Sequence, residues 1–101
     1  MHTVVRKRIE ILADAPLLPR LVDALDASGV TGHTVLPALS GTGSHGHWSD
    51  DGLTGTAKVL VMAITTAEHA ADRVDRLAPL LDSHRLLLML GNVDVVRGDR
   101  F

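Results

Sequence analysis

The chain has 101 residues, which is enough for one domain with a modest hydrophobic core. A formal net charge of −2 and an aromatic content of 2% argue against a basic surface and a base-stacking sheet, so nucleic acid is not expected as a partner. Cysteine is absent, which excludes disulfides and thiolate metal sites and predicts a cytoplasmic protein that reaches a membrane only through a partner.

The first part of the chain predicts a strand, a helix and a second strand. Thr3–Ala13 is rich in β-branched residues, as is typical of a strand. Asp14 precedes an Ala-Pro pair and is typical of a helix N-cap, leucines follow at helical spacing, and Gly29 marks the end of that helix. Gly32–Leu39 predicts the second strand, and Pro37 within it indicates a sheet edge or a bulge.

The next segment, Ser40–Gly55, contains five glycines and no long apolar run, so we predict a flexible loop. It is longer than most connections between neighbouring elements, which is typical of a functional loop. Backbone N–H groups beside its glycines have no side chain to shield them and would suit a bound anion.

The second part of the chain predicts a strand, a helix and a final strand. Thr56–Thr65 is the third predicted strand, and the capping-box spacing of Thr65 and Glu68 marks the start of the second helix. Pro79 is expected to kink that helix or end it early. The fourth strand is predicted over Arg85–Leu90, with a continuation beyond a Gly-Asn break.

The element order β-α-β-β-α-β is that of an α+β, ferredoxin-like sandwich, in which two helices cover one face of an antiparallel four-stranded sheet. Right-handed crossovers place the first and third strands in the centre of that sheet. We therefore predict a single domain over residues 1–101, with the flexible loop at 40–55.

The third predicted strand is apolar on both faces, and the fourth, which contains Leu86-Leu-Leu-Met-Leu90, does not alternate either. Two helices cover only one face of the sheet, so the other face needs a second subunit. The pattern predicts a homo-oligomer closed by rotational symmetry, in which the loop of one copy lies beside the strand ends of its neighbour.

The run Gly29-Val-Thr-Gly-His-Thr-Val35, followed after a short strand by Gly41-Thr-Gly43, resembles the PII signalling proteins, where it leads into the base of the T-loop. Lys58–Met62 and Asn92–Asp99 are similar to that family's third strand and to its closing strand and C-loop. The resemblance implies a regulatory homotrimer, not an enzyme, with an adenine nucleotide in each cleft between subunits. Loop 40–55 would report nucleotide occupancy to a transporter or an enzyme.

The same resemblance implies which residues bind the nucleotide. The residues expected to line the base and ribose are Gly32, His33 and Thr34, with Met62 packed near the adenine. The residues expected to offer backbone donors to phosphate are Gly41, Thr42, Gly43 and Ser44. Two arginines, Arg97 and Arg100, are expected to reach in from the adjacent subunit.

Three departures from the family pattern narrow the range of ligands that we expect. Loop 40–55 is shorter than the usual T-loop and holds no tyrosine, and Ser44-His-Gly46 replaces the usual Arg-Gln-Lys. Asp82–Arg85 passes into the fourth strand without a B-loop to hold β- and γ-phosphates. We therefore expect AMP, ADP or cyclic AMP rather than ATP with 2-oxoglutarate, and bicarbonate is a candidate second ligand. This profile is similar to the PII-like branch associated with carboxysomes and bicarbonate transport.

Other readings of the loop residues stay open. A ferredoxin-like trimer that binds a divalent metal through His45 and His47 is the alternative function, although two histidines lack the further ligands of a zinc site and no metal ligand is assigned. Trp48 either anchors a partner or folds back onto its own subunit, and a purely structural domain that docks a partner through Trp48 is the third alternative. The loop also carries Ser, His and Asp side chains, but no rigid element fixes their geometry, so catalysis is not expected.

Overall fold

A computed structural model of the chain describes residues 2–44, 46–49 and 57–96. The strands and helices in chain order are β1 (Thr3–Asp14), α1 (Leu18–Ser28), β2 (Thr34–Ala38), β3 (Ser40–Gly43), β4 (Gly46–Ser49), β5 (Lys58–Thr65), α2 (Ala67–His84) and β6 (Leu87–Val96). A single 3-10 turn, Ala15–Leu17, leads into α1. Within these described ranges, neither helix is long and apolar enough to cross a membrane.

The central sheet has four antiparallel strands in the order β2-β5-β1-β6. The predicted ferredoxin-like arrangement is confirmed, with the first and third predicted strands in the centre as β1 and β5. β2 lies at the edge of the sheet, where Pro37, which has no N–H to donate, disturbs the pairing least.

The hydrophobic core lies between one face of this sheet and the two helices. Ile9 and Ile11 alternate along β1 and are 1% and 0% exposed, and Val61 of β5, paired with Ile11, is 1% exposed. Leu21 of α1 and Leu77 of α2 join the same buried cluster and are fully covered. The odd-numbered residues of β1 therefore face the helices over the buried part of the strand.

The two ends of α1 differ in how well the sequence predicts them. Gly29 ends the helix as predicted, with a left-handed φ of 96° and an N–H that points back to the carbonyls of the last turn. Asp14 is the N-cap residue of the 3-10 turn that leads into α1, but its side chain makes no capping hydrogen bond. Its Oδ1 accepts from Lys58 Nζ at 2.6 Å instead, and a charged donor is a stronger partner for a carboxylate than a backbone N–H.

The N-cap of α2 lies one residue later than the capping-box spacing predicts. Thr66 is the cap, and its Oγ1 accepts a hydrogen bond from the His69 N–H at 3.3 Å. Thr65 is 1% exposed, and its hydroxyl accepts a hydrogen bond from Arg73 Nη1. Burial and a tertiary partner therefore take the Thr65 side chain away from the helix end.

Neither an early end of α2 at Pro79 nor a break of the last strand at Gly91-Asn92 occurs. α2 continues past Pro79 to His84, because Pro79 lies on the exposed side of the helix and the apolar side stays packed on the core. β6 runs as one strand through Gly91 and Asn92, since its pairing with β1 is continuous at both positions. Tertiary packing and strand pairing override the local break signals in both places.

The face of the sheet away from the helices, here called the open face, carries a row of leucines. The row crosses all four strands through directly paired residues, in the order Leu36, Leu60, Leu12 and Leu87. Leu36 is 43% exposed and Leu87 is 54% exposed in the single chain. β5 is therefore apolar on both faces, as its sequence predicts, whereas β1 carries the ion pair of Arg8 and Glu10 on the open face. The helices cover only the other face of the sheet.

Replacing a core leucine should cost far more stability than replacing an exposed one. Leu21→Ala should lower the free energy of unfolding by about 2–5 kcal/mol, because it leaves a cavity in the core. Leu39→Ala removes the same atoms from a side chain that is 76% exposed and should change stability by less than about 0.5 kcal/mol. Urea unfolding at one protein concentration, followed by circular dichroism, compares the two, and equal losses would contradict this core.

Candidate functional site

A cleft of about 300 Å³ opens where the connection between α1 and β2 passes the end of β5. Its lining residues are Thr31, Gly32, His33, Thr34, Met62, Ala63 and Ile64. The antiparallel pairing of Thr34 with Met62 brings the two segments together. Four residues predicted from the family motif therefore meet in one cleft, namely Gly32, His33, Thr34 and Met62.

The local sequence explains the shape of this cleft. Val30 is 3% exposed and anchors the connection in the core, whereas Thr31–Thr34 are exposed. A Cβ added to Gly32 would meet no heavy atom within 4 Å, so this glycine borders open space. Met62 and Ile64 share the open face of β5 and form an apolar wall. The cleft thus combines accessible backbone groups, one imidazole ring and an apolar surface.

Arg73, which no sequence pattern indicates as a site residue, links two segments that border this cleft. Arg73 of α2 donates to the Thr65 hydroxyl at the end of β5. Its guanidinium also lies against Gly29, where an added Cβ would be 3.4 Å from Arg73 Nε. Arg73 therefore ties the end of β5 to the start of the α1–β2 connection and places positive charge at the C-terminal end of α1. One arginine on a polar helix face gives no sequence signal for this role.

The predicted loop contains a β-hairpin. β3 pairs with β4 in antiparallel register from Ser40↔Ser49 to Gly43↔Gly46, and Gly46 has a φ of 96° beside the turn. The prediction of a loop is wrong for these residues, because a glycine-rich sequence hides cross-strand packing. Antiparallel pairing uses alternate N–H groups, so the outer edge of β3 still presents backbone donors. Residues 50–56 lie outside the described ranges.

Trp48 folds back onto its own hairpin, which is one of the two predicted arrangements. It is the direct cross-strand partner of Gly41, and a Cβ added to Gly41 would lie 2.5 Å from Trp48 Cζ2. Lys58 Nζ lies 5.4 Å from the centroid of the indole ring, within the range of a cation–π contact. Gly41 is therefore required sterically by the tryptophan. Partner binding by Trp48 stays a prediction.

The predicted base-binding and phosphate-binding residues do not meet within one chain. Gly32–Thr34 lie at the start of β2, whereas Gly41–Ser44 lie beyond its end. The extended chain from Thr34 to Leu39 spans about 17 Å, at roughly 3.3 Å per residue. The two predicted arginines, Arg97 and Arg100, lie outside the described residues.

The described part of the chain shows no assembled metal site or catalytic site at the loop residues of the alternative predictions. His47 is exposed on β4, and His45 and Asp50 lie outside the described ranges. Among residues 2–44, 46–49 and 57–96, no three His, Cys, Asp or Glu side chains are grouped so as to hold a metal ion.

Comparison with known families establishes the class of this protein. The model of the nitrogen regulatory protein P-II family matches residues 6–100. The chain belongs to the P-II family, and the resemblance seen in its sequence is confirmed. The family is one of regulatory proteins, which is the class that the sequence predicted. No curated protein matches the chain.

Solved structures agree with the fold along the whole chain. CPII of Thiomonas intermedia K12, bound to ADP and bicarbonate, is 26% identical, aligns over 99% of this chain and 97% of its own, and has a TM-score of 0.83. CPII bound to ADP, AMP and acetate is 26% identical over 100% and 98% of the two chains, with a TM-score of 0.80. A protein of Thermus thermophilus described as a PII-like signalling protein is 28% identical over 100% and 99%, with a TM-score of 0.81.

The contact between Gly41 and Trp48 predicts a contrast between two glycines of the same strand. Gly41→Ala should displace the indole and shift its fluorescence emission to longer wavelength, because the added Cβ would overlap the ring. Gly43→Ala should leave the emission unchanged, since a Cβ there would meet nothing within 4 Å. Trp48 is the only tryptophan of the chain, so the emission reports this residue alone. Identical spectra for the two variants would contradict the hairpin packing.

Proposed function

We propose that this P-II family regulator binds an adenine nucleotide between the subunits of a homotrimer and signals its occupancy through the hairpin Ser40–Ser49 and the rest of segment 40–55. The observation that carries the proposal is the cleft at the start of β2. There, Gly32, His33, Thr34 and Met62, which the family motif assigns to the base and ribose, line one space.

The chemistry of the cleft supports a purine nucleotide. Its volume of about 300 Å³ is at the lower end of the range for small-molecule sites, which suits part of a ligand shared with a second subunit. Met62 and Ile64 offer an apolar wall for a flat base, and the open space at Gly32 lets the ligand approach the backbone. CPII, bound to ADP in two solved structures, supports adenine as the base.

The uncovered open face supports a site shared between copies. The leucine row through Leu36 and Leu87 needs a cover that the described part of a single chain does not supply, and a neighbouring copy can supply it. In a closed trimer, Gly32–Thr34 of one copy would face Gly41–Ser44 of the next, which joins the two separated halves. Arg97 and Arg100 would add positive charge to the phosphates from the adjacent subunit.

The connection between α2 and β6 supports a ligand with few phosphates. α2 ends at His84 and β6 begins at Leu87, so only Arg85 and Leu86 separate them. A connection this short provides no glycine-rich loop around β- and γ-phosphates. AMP, ADP or cyclic AMP is therefore the proposed ligand, with bicarbonate as a candidate second ligand, because CPII was solved with ADP and bicarbonate.

The signalling step would be a population shift of the hairpin segment. Phosphate contacts to the outer edge of β3 would favour one arrangement of segment 40–55, and a target that binds this arrangement better would respond. The proposed target is a transporter or an enzyme of inorganic carbon metabolism. The absence of cysteine supports placing this exchange in the cytoplasm.

Isothermal titration with AMP, ADP, ATP and cyclic AMP tests nucleotide binding directly. The wild-type chain should bind AMP, ADP or cyclic AMP more tightly than ATP with 2-oxoglutarate. If none of the four nucleotides gives a heat of binding, the proposal is refuted.

Filling the cleft should weaken nucleotide binding without unfolding the protein. Gly32→Val adds a side chain whose Cβ meets no atom of its own chain, so the fold should be retained. The dissociation constant of the nucleotide should rise by about tenfold or more, equivalent to at least roughly 1.4 kcal/mol. Circular dichroism and sedimentation of the variant provide the control for folding and assembly. Unchanged affinity would place the nucleotide elsewhere.

A charge on the open face should break the assembly, and the same charge on the helix side should not. Leu87→Glu puts a carboxylate in the leucine row, where burial against a neighbour would be costly. Ala71→Glu puts the same group on the exposed side of α2 and serves as the matched control. Sedimentation should give three times the 10.8 kDa chain mass for the wild type and the control, and a smaller species for Leu87→Glu. Trimers of both variants would contradict the proposed interface.

A further inference from the structure

Three side chains from three strands meet at the root of the hairpin. Lys58 is the first residue of β5 and pairs in register with Asp14, the last residue of β1, and with Ala38, the last residue of β2. The chain leaves β2 at this point and enters the hairpin after a single residue, Leu39. The Lys58 side chain therefore stands where the hairpin joins the sheet.

Lys58 has one partner on each side. Its Nζ lies 2.6 Å from Asp14 Oδ1 and 5.4 Å from the centroid of the Trp48 ring. The carboxylate fixes the position of the ammonium group, and the fixed ammonium attracts the indole. The Lys58 side chain is 24% exposed, although its Asp14 partner is 63% exposed. This partial burial strengthens both contacts relative to a fully solvated pair.

Among the described residues, the hairpin has few other contacts with the four-stranded sheet and packs mainly on itself. Trp48 is held on one side by its cross-strand neighbour Gly41, whose missing side chain makes room for the ring. Trp48 lies against Gly41 of β3 and within cation–π range of Lys58 of β5, so it links the backbone of β3 to the end of the sheet.

We infer that Asp14, Lys58 and Trp48 form a clamp, here called the hairpin clamp, that positions β3 and β4 against the end of the sheet. Lys58 is its central positioning residue. On the proposed function, the clamp also orients the backbone donors on the outer edge of β3 toward a ligand phosphate, so that loosening it weakens nucleotide binding. The inference about position does not depend on the ligand, whereas the inference about affinity rests on the proposed function.

Lys58→Met tests the clamp in the full 101-residue chain, because it keeps the apolar stem and removes the ammonium. The emission of Trp48 should shift to longer wavelength and become easier to quench with acrylamide, in the absence of any nucleotide. Lys58→Arg keeps a cation at the site and should restore the wild-type emission. The dissociation constant of ADP should rise roughly three- to tenfold for Lys58→Met, on the scale of a lost cation–π contact.

Arg76→Met is the matched control. It removes a cation from another ion pair, that of Arg76 Nε with Asp72 Oδ2 at 3.2 Å, which lies on the exposed side of α2. Neither the emission of Trp48 nor the affinity for ADP should change in this variant.

The outcomes separate the clamp from the proposed function. Wild-type emission in Lys58→Met would overturn the clamp, whatever the nucleotide does. A shifted emission with unchanged ADP affinity would keep the clamp as a structural device and overturn its role in orienting the phosphate donors. If the wild-type chain binds no nucleotide, the proposed function fails, and the emission contrast between Lys58→Met and Arg76→Met still decides whether the clamp exists.

Discussion

The fold depends on one imbalance, which is that two helices cover one face of the sheet and leave a row of leucines on the other face without a helix over it. Ile9 and Ile11 lie under the helices, and the leucine row of the open face lies on the opposite side of the same strands. Burying the second face is worth about 25 cal/mol per Å² of apolar area, so a second copy has a clear driving force. The strand sequences therefore favour assembly with a second copy, and the proposed site depends on that assembly.

Neither half of the proposed site is complete within one chain. The cleft at Gly32 and the hairpin at Gly41–Gly43 lie at opposite ends of β2. A regulator benefits from this arrangement, because a ligand held between copies couples the hairpin of one subunit to the body of the next. The hairpin clamp through Lys58 would fix the position of the hairpin from which that coupling begins.

The sequence predicts what local rules decide, and misses what tertiary contacts decide. Gly29 ends a helix by its own conformational freedom, and the motif from Gly29 to Val35 places the cleft lining in order. The hairpin is missed because a glycine-rich composition resembles a loop, and only the packing of Trp48 on Gly41 reveals two strands. The tertiary contacts of Asp14 and Arg73 are missed for a related reason. Asp14 pairs with Lys58 and Arg73 donates to Thr65, and no local pattern indicates either partner.

A mixing experiment tests the shared site most directly. Gly32→Val and Gly43→Val each fill one half of the proposed site without a Cβ that meets their own chain, and each alone should form trimers that bind ADP poorly. Unfolded together and refolded as a one-to-one mixture, they should regain about one quarter of the wild-type ADP sites, because random assembly pairs two intact halves at that frequency. Mixed trimers with no recovered ADP binding would contradict a site built from two copies.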